Sequence, residues 1–304
     1  MRSILAAAIA ATLAYASAGA QSSAMGVRPA YLDALAAKVP NEAAIGRRIF
    51  VPGLDDGFVP QGLAVVGDHV LISSYKPTPD LTATTGPCRI FRVEAATGKS
   101  AGAFDLPLDA CNSHAGGLAD LGDGHIMLAD TQMLSRIDLA KALAAGTAAG
   151  AISTVKIGGA LRGSLAASDG KDAWIGTWSK DVDKSRMYRM PAALFEGSAS
   201  GAVKEDRAVS TLAIPVESQG AAFDKAGHVW VSASRSNTMS KLYRLDRAGN
   251  VSAQYEVPIG IEGIAFDAGG RLWAVSESGT QKYLRWGRQF NFPFIFEIDV
   301  VKLR

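Results

Sequence analysis

Hydrophobic and polar positions alternate along this chain in one recurring order. Each copy opens on a line of small and apolar residues: Gln61-Gly62-Leu63-Ala64, Gly116-Gly117-Leu118-Ala119, Gly163-Ser164-Leu165-Ala166, Gln219-Gly220-Ala221-Ala222 and Glu262-Gly263-Ile264-Ala265. A short apolar strand follows each, at Val70 to Tyr75, Ile126 to Thr131, Ala173 to Trp178, Val229 to Ser234 and Leu272 to Glu277. A third strand then alternates an aromatic with a charge, as in Phe91-Arg92-Val93, Tyr188-Arg189-Met190, Tyr243-Arg244-Leu245 and Phe296-Glu297-Ile298; the second copy keeps only the charge, as Ser135-Arg136-Ile137. The fourth strand ends in Pro or Gly shortly before the next copy: Leu106-Pro107, Ile157-Gly158, Ile214-Pro215, Val257-Pro258.

Four short strands repeated every 43 to 56 residues describe blades of an all-β propeller. The fifth copy lacks a fourth strand because the chain ends at Arg304, and a spare strand lies at the other end, Arg48-Ile49-Phe50-Val51-Pro52. An N-terminal strand completing the last blade would close the ring and leave no free sheet edge. The pattern therefore predicts five blades, with six as the alternative if one long copy conceals a degenerate blade. Two compact turns, Asp224-Lys225-Ala226-Gly227 and Asp267-Ala268-Gly269-Gly270, mark one rim.

The N-terminal end reads differently. Arg2, the alanine-rich apolar stretch from Ile4 to Tyr15, and Ala18-Gly19-Ala20 have the layout of a secretory signal over residues 1–20, too short for a membrane span. Residues 21–45 form an extension in which Tyr31, Leu32, Leu35 and Ala36 are spaced for a short amphipathic helix after Pro29, between Arg28 and Val39. Residues 46–304 form the propeller domain. The expected location is secreted or periplasmic. An even pair of cysteines in an exported chain, Cys88 and Cys111, suggests a disulfide; two unpaired buried thiols are the other reading. Beyond residue 20 the chain carries 30 Lys and Arg against 29 Asp and Glu. That balance gives no reason to expect a nucleic-acid or membrane-surface partner, and the expectation is a monomer that takes a small-molecule ligand.

In a propeller the blade crossings and the loops between second and third strands share one face. Here that mouth receives Asp55, Asn112, His114, Arg162, Glu217, Gln219 and Glu262 from the crossings. From strand-two ends and loops come Tyr75, Lys76, Asp130, Trp178, Lys180, Arg235, Asn237, Glu277 and the run Lys282 to Phe290, with Tyr283, Arg285, Trp286 and Arg288. The basic residues favour a carboxylate or phosphate on the ligand; Trp178, Tyr283 and Trp286 offer flat faces to a sugar or aromatic ring. Glu262 is an acid where the other copies have Gln61, Gly116, Gly163 and Gln219, so it needs a cation, a basic partner or water. Arg162, His114 or a Ca²⁺ ion held by Glu262, Glu217, Gln61 and Gln219 would meet that need. His114, Glu217 and Glu262 are the candidate catalytic groups, with His114 placed as a general base. His69, His125 and His228 fall on the far rim. No zinc spacing, nucleophile elbow, phosphate loop or dinucleotide fingerprint occurs.

The lines Gln219-Gly220-Ala221-Ala222-Phe223-Asp224 with Gly227-His228-Val229-Trp230, and Glu262-Gly263-Ile264-Ala265-Phe266-Asp267 with Gly270-Arg271-Leu272-Trp273, resemble the NHL-repeat and gluconolactonase-type (regucalcin-like) propellers. The resemblance implies a lactonase whose divalent cation sits over the axis on a Glu, an Asn and an Asp from separate blades, with Glu262 at the place of the Glu. Members of that family usually have six blades. Three functions follow as expectations: a binder of a small polar, anionic or sugar-like ligand that hydrolyses a lactone or ester with a metal; a glycan hydrolase using a carboxylate pair from Glu217, Glu262, Asp130 and Glu277; or a non-catalytic protein-interaction scaffold with a flat aromatic patch at its mouth.

Overall fold

The protein is described from a computed structural model, covering residues 24–36, 38–195, 201–235, 239–285 and 290–304. Strand β1 runs Ile45–Phe50. Blade one follows as β2 (Val59–Val66), β3 (His69–Tyr75), β4 (Cys88–Glu94) and β5 (Ser100–Asp105), and blade two as β6 (Gly117–Asp120), β7 (His125–Asp130), β8 (Met133–Asp138) and β9 (Ile152–Lys156). Blade three is β10 (Leu165–Ser168), β11 (Ala173–Gly176), β12 (Arg186–Met190) and β13 (Ser210–Ala213). Blade four is β14 (Ser218–Phe223), β15 (Val229–Ala233), β16 (Ser240–Leu245) and β17 (Val251–Val257). β18 (Ile261–Phe266), β19 (Leu272–Ser276) and β20 (Phe294–Ile298) make the fifth blade, and β1 completes it. Ile49 pairs with Ile295 and Phe50 with Phe294, antiparallel. The chain is a five-bladed propeller closed by its N-terminal strand, so both ends of the repeat are hydrogen-bonded to each other.

The packing explains the repeat. Successive residues of a strand point to opposite faces, and both faces of each blade are covered by a neighbour. In β3, Leu71 enters the layer shared with blade two while Val70 and Ile72 enter the layer shared with blade five. Each of five hydrophobic clusters among the described residues spans one pair of adjacent blades. The glycine in the opening line is required by the axis. A Cβ on Gly117 would lie 2.2 Å from the Ala166 backbone nitrogen, and one on Gly263 would lie 2.3 Å from that of Leu63. Innermost strands therefore meet backbone to backbone at these positions, and only the third copy carries a side chain there, Ser164.

The expected helix between Arg28 and Val39 does not form in the described residues of that segment; among the described residues before β1 the one helical turn is a single 3₁₀ turn, Glu42–Ala44. Its polar groups bond elsewhere instead of to residues four positions back. The Arg28 guanidinium donates to the carbonyls of Leu32 and Asp33, Ala30 N–H donates to Asp55, and Ala36 N–H donates to the Asn291 carbonyl. The apolar residues that suggested a helix still pack inward: Leu32 is buried, and Tyr31, Leu35 and Val39 lie on the blade-four and blade-five layer. Spacing identified the buried side chains, and long-range hydrogen bonds decided the backbone. Among the described residues two α-helices occur, α1 (Leu139–Ala145) between β8 and β9, and α2 (Gln281–Arg285) between β19 and β20.

Candidate functional site

The first residue of the opening line in each blade rings the axis at the mouth. Gln61 and Glu262 are buried there, and the last residues of the second strands, Tyr75, Asp130, Ser234 and Glu277, are buried beside them. α2 adds Lys282 and Tyr283 from the long loop after β19. Above this floor opens a cavity of about 460 Å³. Its lining includes His114, Trp178, Lys180, Arg235, Glu277 and Tyr283.

Two of these buried acids, Glu262 and Glu277, act on one another by charge. Glu262 Oε1 accepts from Gln219 Nε2 at 3.0 Å and from Ser234 Oγ at 3.2 Å, and Glu277 Oε2 accepts from Gln61 Nε2 at 3.1 Å. Burial holds the Glu262 carboxyl well above the ordinary carboxylate range, the negative charge of Glu277 raises it further, and the donors Ser234 and Gln219 with the Lys282 ammonium only partly oppose this. Burial likewise raises the Tyr283 phenol well above its usual value, with Glu277 adding to it by charge and by a hydrogen bond. Tyr75 is raised by burial and then by Glu277 and Glu262. Lys282 is 1% exposed. Its ammonium donates to the Tyr75 hydroxyl and lies 5.0 Å from the Tyr75 ring centre and 5.4 Å from that of Tyr283.

His114 is presented by a doubly fixed loop. Cys88 and Cys111 are disulfide-bonded with Cα atoms 5.8 Å apart, as the even count suggested. The Asp130 carboxylate accepts backbone N–H bonds from Asn112 (3.2 Å), His114 (2.6 Å) and Ala115 (2.9 Å), and Ala115 takes a positive φ of 51°. The His114 ring stacks on Tyr75 with centres 4.9 Å apart. Its Nδ1 lies 2.8 Å from the Thr84 carbonyl, which can only accept, so the proton sits on Nδ1 and Nε2 keeps its lone pair. Burial moves the ring's pKa down and the Lys282 charge adds to that shift, against the Thr84 hydrogen bond and the Asp130 charge, so the uncharged imidazole is favoured.

Other expected residues are deployed differently. Glu217 has a positive φ of 61° and reaches Arg235 at 3.7 Å instead of joining Glu262. Arg162 donates to the carbonyls of Gly159 and Leu161, at 3.0 and 2.7 Å, and so serves its own loop. Arg285 is exposed and donates to the Asp80 carbonyl. Trp286 and Arg288 lie outside the described residues, as does Asn237. The Ca²⁺ donor set is likewise dispersed: Glu217 is turned to Arg235, Gln61 and Gln219 present their amide nitrogens to the two acids, and the cation acting on Glu262 is Lys282. Calcium takes six to eight oxygens, and these residues do not fit it. Among the described residues the one cluster of three candidate metal ligands is Cys88, Cys111 and Asp130, where both sulfurs are in the disulfide. Sequence reasoning placed Lys282 at the mouth without a role, and did not single out Ser234 as part of the site. A signal existed, since Asp130, Thr177, Ser234 and Glu277 put a polar residue where the second strand of four blades ends.

The glutaminyl cyclase of Myxococcus xanthus shares the architecture, with a TM-score of 0.54 at 12% identity over 84% of this chain and 94% of that one. A PQQ-bound aldose sugar dehydrogenase from Streptomyces coelicolor gives 0.40 at 18% identity, over 72% and 74% of the two chains. A structure carried under the gluconolactonase name gives 0.41 at 16%, over 90% and 86%. The first likeness is one of fold, and the other two superpose too loosely to say more. No protein-family model and no curated protein matches the chain. What it shares with solved proteins is the β-propeller.

Proposed function

We propose that the mouth is the active site of a hydrolase acting on a small polar lactone or ester by general acid–base catalysis. The observation that carries this reading is the buried pair Glu262 and Glu277, with Glu277 lining a cavity of small-molecule size. Environments that push two titratable groups apart assign an acid and a base. Glu277 lines the cavity, and with Glu262 holding a proton it is the member left to carry the negative charge. Its carboxylate takes a proton from water while the water oxygen attacks the carbonyl carbon. The carbon–oxygen bond to the leaving alkoxide then breaks, and that oxygen receives the proton back from Glu277. Tyr283, hydrogen-bonded to Glu277, orients the base. Lys180, Arg235 and the Trp178 face bind an anionic or sugar-like part of the substrate; Lys180 lies 6.0 Å from the Trp178 ring centre. No step needs a metal.

The same pair supports glycan cleavage as a second reading, because a protonated and an ionised carboxyl about 5 to 9.5 Å apart are the requirement for that reaction. Asp130 and Glu217 are excluded from such a pair by their backbone and arginine partners. An interaction scaffold calls for a flat aromatic mouth, and this one is concave and polar. The disulfide suits an exported protein, and no helix among the described residues is long and apolar enough to cross a membrane.

The test is turnover of a panel of sugar-acid lactones, aryl esters, aryl glycosides and N-terminal glutaminyl peptides, with and without EDTA. Lactone or ester turnover that survives EDTA and disappears in Glu277→Gln is expected. Turnover of aryl glycosides alone selects the second reading. Loss on chelation, or equal rates in wild type and Glu277→Gln, overturns the proposal.

A further inference from the structure

Lys282 is the one buried Lys or Arg among the described residues. An ammonium 1% exposed has given up its water, and a lysine is almost never fully buried unless paired. Its Nζ lies 5.0 Å from the Tyr75 ring centre and 5.4 Å from that of Tyr283 and donates to the Tyr75 hydroxyl, and its charge acts on both Glu262 and His114. The titratable groups of this cluster come from five places in the fold: Tyr75 at the end of β3, His114 from the crossing after β5, Glu262 on β18, Glu277 after β19 and Tyr283 on α2. Two of these groups are acids, and both phenols resist ionisation. The neutral imidazole brings no charge. One buried positive charge thus faces a pair of carboxyls, which balances when the pair carries one proton.

We propose that Lys282 is the fixed counter-cation of the Glu262–Glu277 pair, a positioning residue that holds the pair at one proton and one negative charge. The tyrosine rings and the Tyr75 hydroxyl keep its ammonium in place, so the negative charge stays on the two carboxyls instead of being quenched by a second proton from solvent. This rests on the acid–base reading of the mouth, but it concerns the number of protons on the pair and is measured without a substrate.

The experiment is an infrared count of protonated buried carboxyls at neutral pH, from the carboxylic-acid carbonyl stretch, in the whole protein. Wild type is expected to show one such group, and Glu262→Gln to show none. Lys282→Gln, which can still donate to Tyr75 but has no charge, should show two, as should Lys282→Met; Lys282→Arg should show one. A single protonated group in Lys282→Gln, or none or two in wild type, overturns the proposal. If circular dichroism shows that neither neutral variant folds, Lys282→Arg decides: one group supports the counter-cation and two overturn it. Should no member of the substrate panel turn over, these counts still stand, so failure of the enzymatic reading and failure of this one are told apart. If turnover is found, the acid limb of the rate profile should move to higher pH in Lys282→Gln and return in Lys282→Arg, a movement that a packing role would not produce.

Discussion

Acids occupy both rims of this propeller, under opposite conditions. On the rim away from the mouth, Asp169, Asp224 and Asp267 each accept the indole N–H of a tryptophan at the start of the second strand: Trp174 at 2.8 Å, Trp230 at 3.0 Å and Trp273 at 3.1 Å. Asp224 also accepts from the His228 backbone at 2.9 Å, and although burial pushes its carboxyl up, these donors outweigh it and hold it below the usual range. At the mouth, Glu262 has two donors, a second acid beside it, and a carboxyl held well above the usual range. The far rim repeats one solution three times, with each charge satisfied locally. The mouth breaks the repeat at Glu262 and at the loop that carries Lys282, and leaves its charges dependent on one another. Satisfied repetition marks scaffold here, and mutual dependence marks chemistry.

The largest expected effect tests the mouth. Glu277→Gln keeps shape and removes the base, so the hydrolytic rate should fall about 100-fold or more, while the melting temperature stays within a few degrees. Asp224→Ala on the far rim should leave the rate within about twofold. If the far-rim change cost as much activity as Glu277→Gln, the division between rims would be wrong.

Next in size is the disulfide, which belongs to the mouth because Cys111 precedes the His114 loop. With the cysteines 23 residues apart, chain-entropy reasoning gives about 3 kcal/mol of stabilisation. Urea unfolding of Cys88→Ser/Cys111→Ser should show that loss. An activity loss larger than the stability change explains would show that the bridge positions His114 as well.

Glu262 gives a smaller effect with a definite sign. Its folded pKa lies above its unfolded value, so its contribution to stability is complete below the ordinary glutamate pKa of about 4.3 and is lost as pH rises toward the folded value. One proton corresponds to about 1.4 kcal/mol per pH unit. Above about pH 5, the stability of Glu262→Gln relative to wild type should therefore improve by roughly that slope. Parallel curves for the two proteins would show that Glu262 is ionised in the fold.

The blade count, the closure by Ile49 and Phe50 against Phe294 and Ile295, and the Cys88–Cys111 bridge were legible because each is written in local pattern: an apolar repeat, a missing strand with its spare, an even cysteine count. Glu262 was legible for the same reason, as an acid among neutral equivalents. Its partners were not. Arg162 and His114 stand in crossings that a linear reading sends to the same mouth, yet Arg162 turns back to Gly159 and Leu161 while Lys282, from a loop with no counterpart in the other blades, supplies the cation. Residues outside the repeat have no register by which to place them. The absent helix at Arg28 to Val39 failed for a related reason, since its competing hydrogen bonds come from Asp55 and Asn291, far away in sequence.

The smallest effect bears on the far rim alone. Asp224 binds Trp230, His228 and two backbone N–H groups within one turn, and a net contribution of about 1 kcal/mol per hydrogen bond, reduced by partial exposure, puts Asp224→Ala near 1–2 kcal/mol. Trp230 packs in the layer shared by blades four and five, so the lost indole bond should loosen that layer locally. Tryptophan fluorescence should shift to the red without any change in the protonated-carboxyl count at the mouth. A changed count would mean that the far rim and the acid pair communicate through the blade, and the separation of scaffold from chemistry would then have to be redrawn along the strands instead of between the rims.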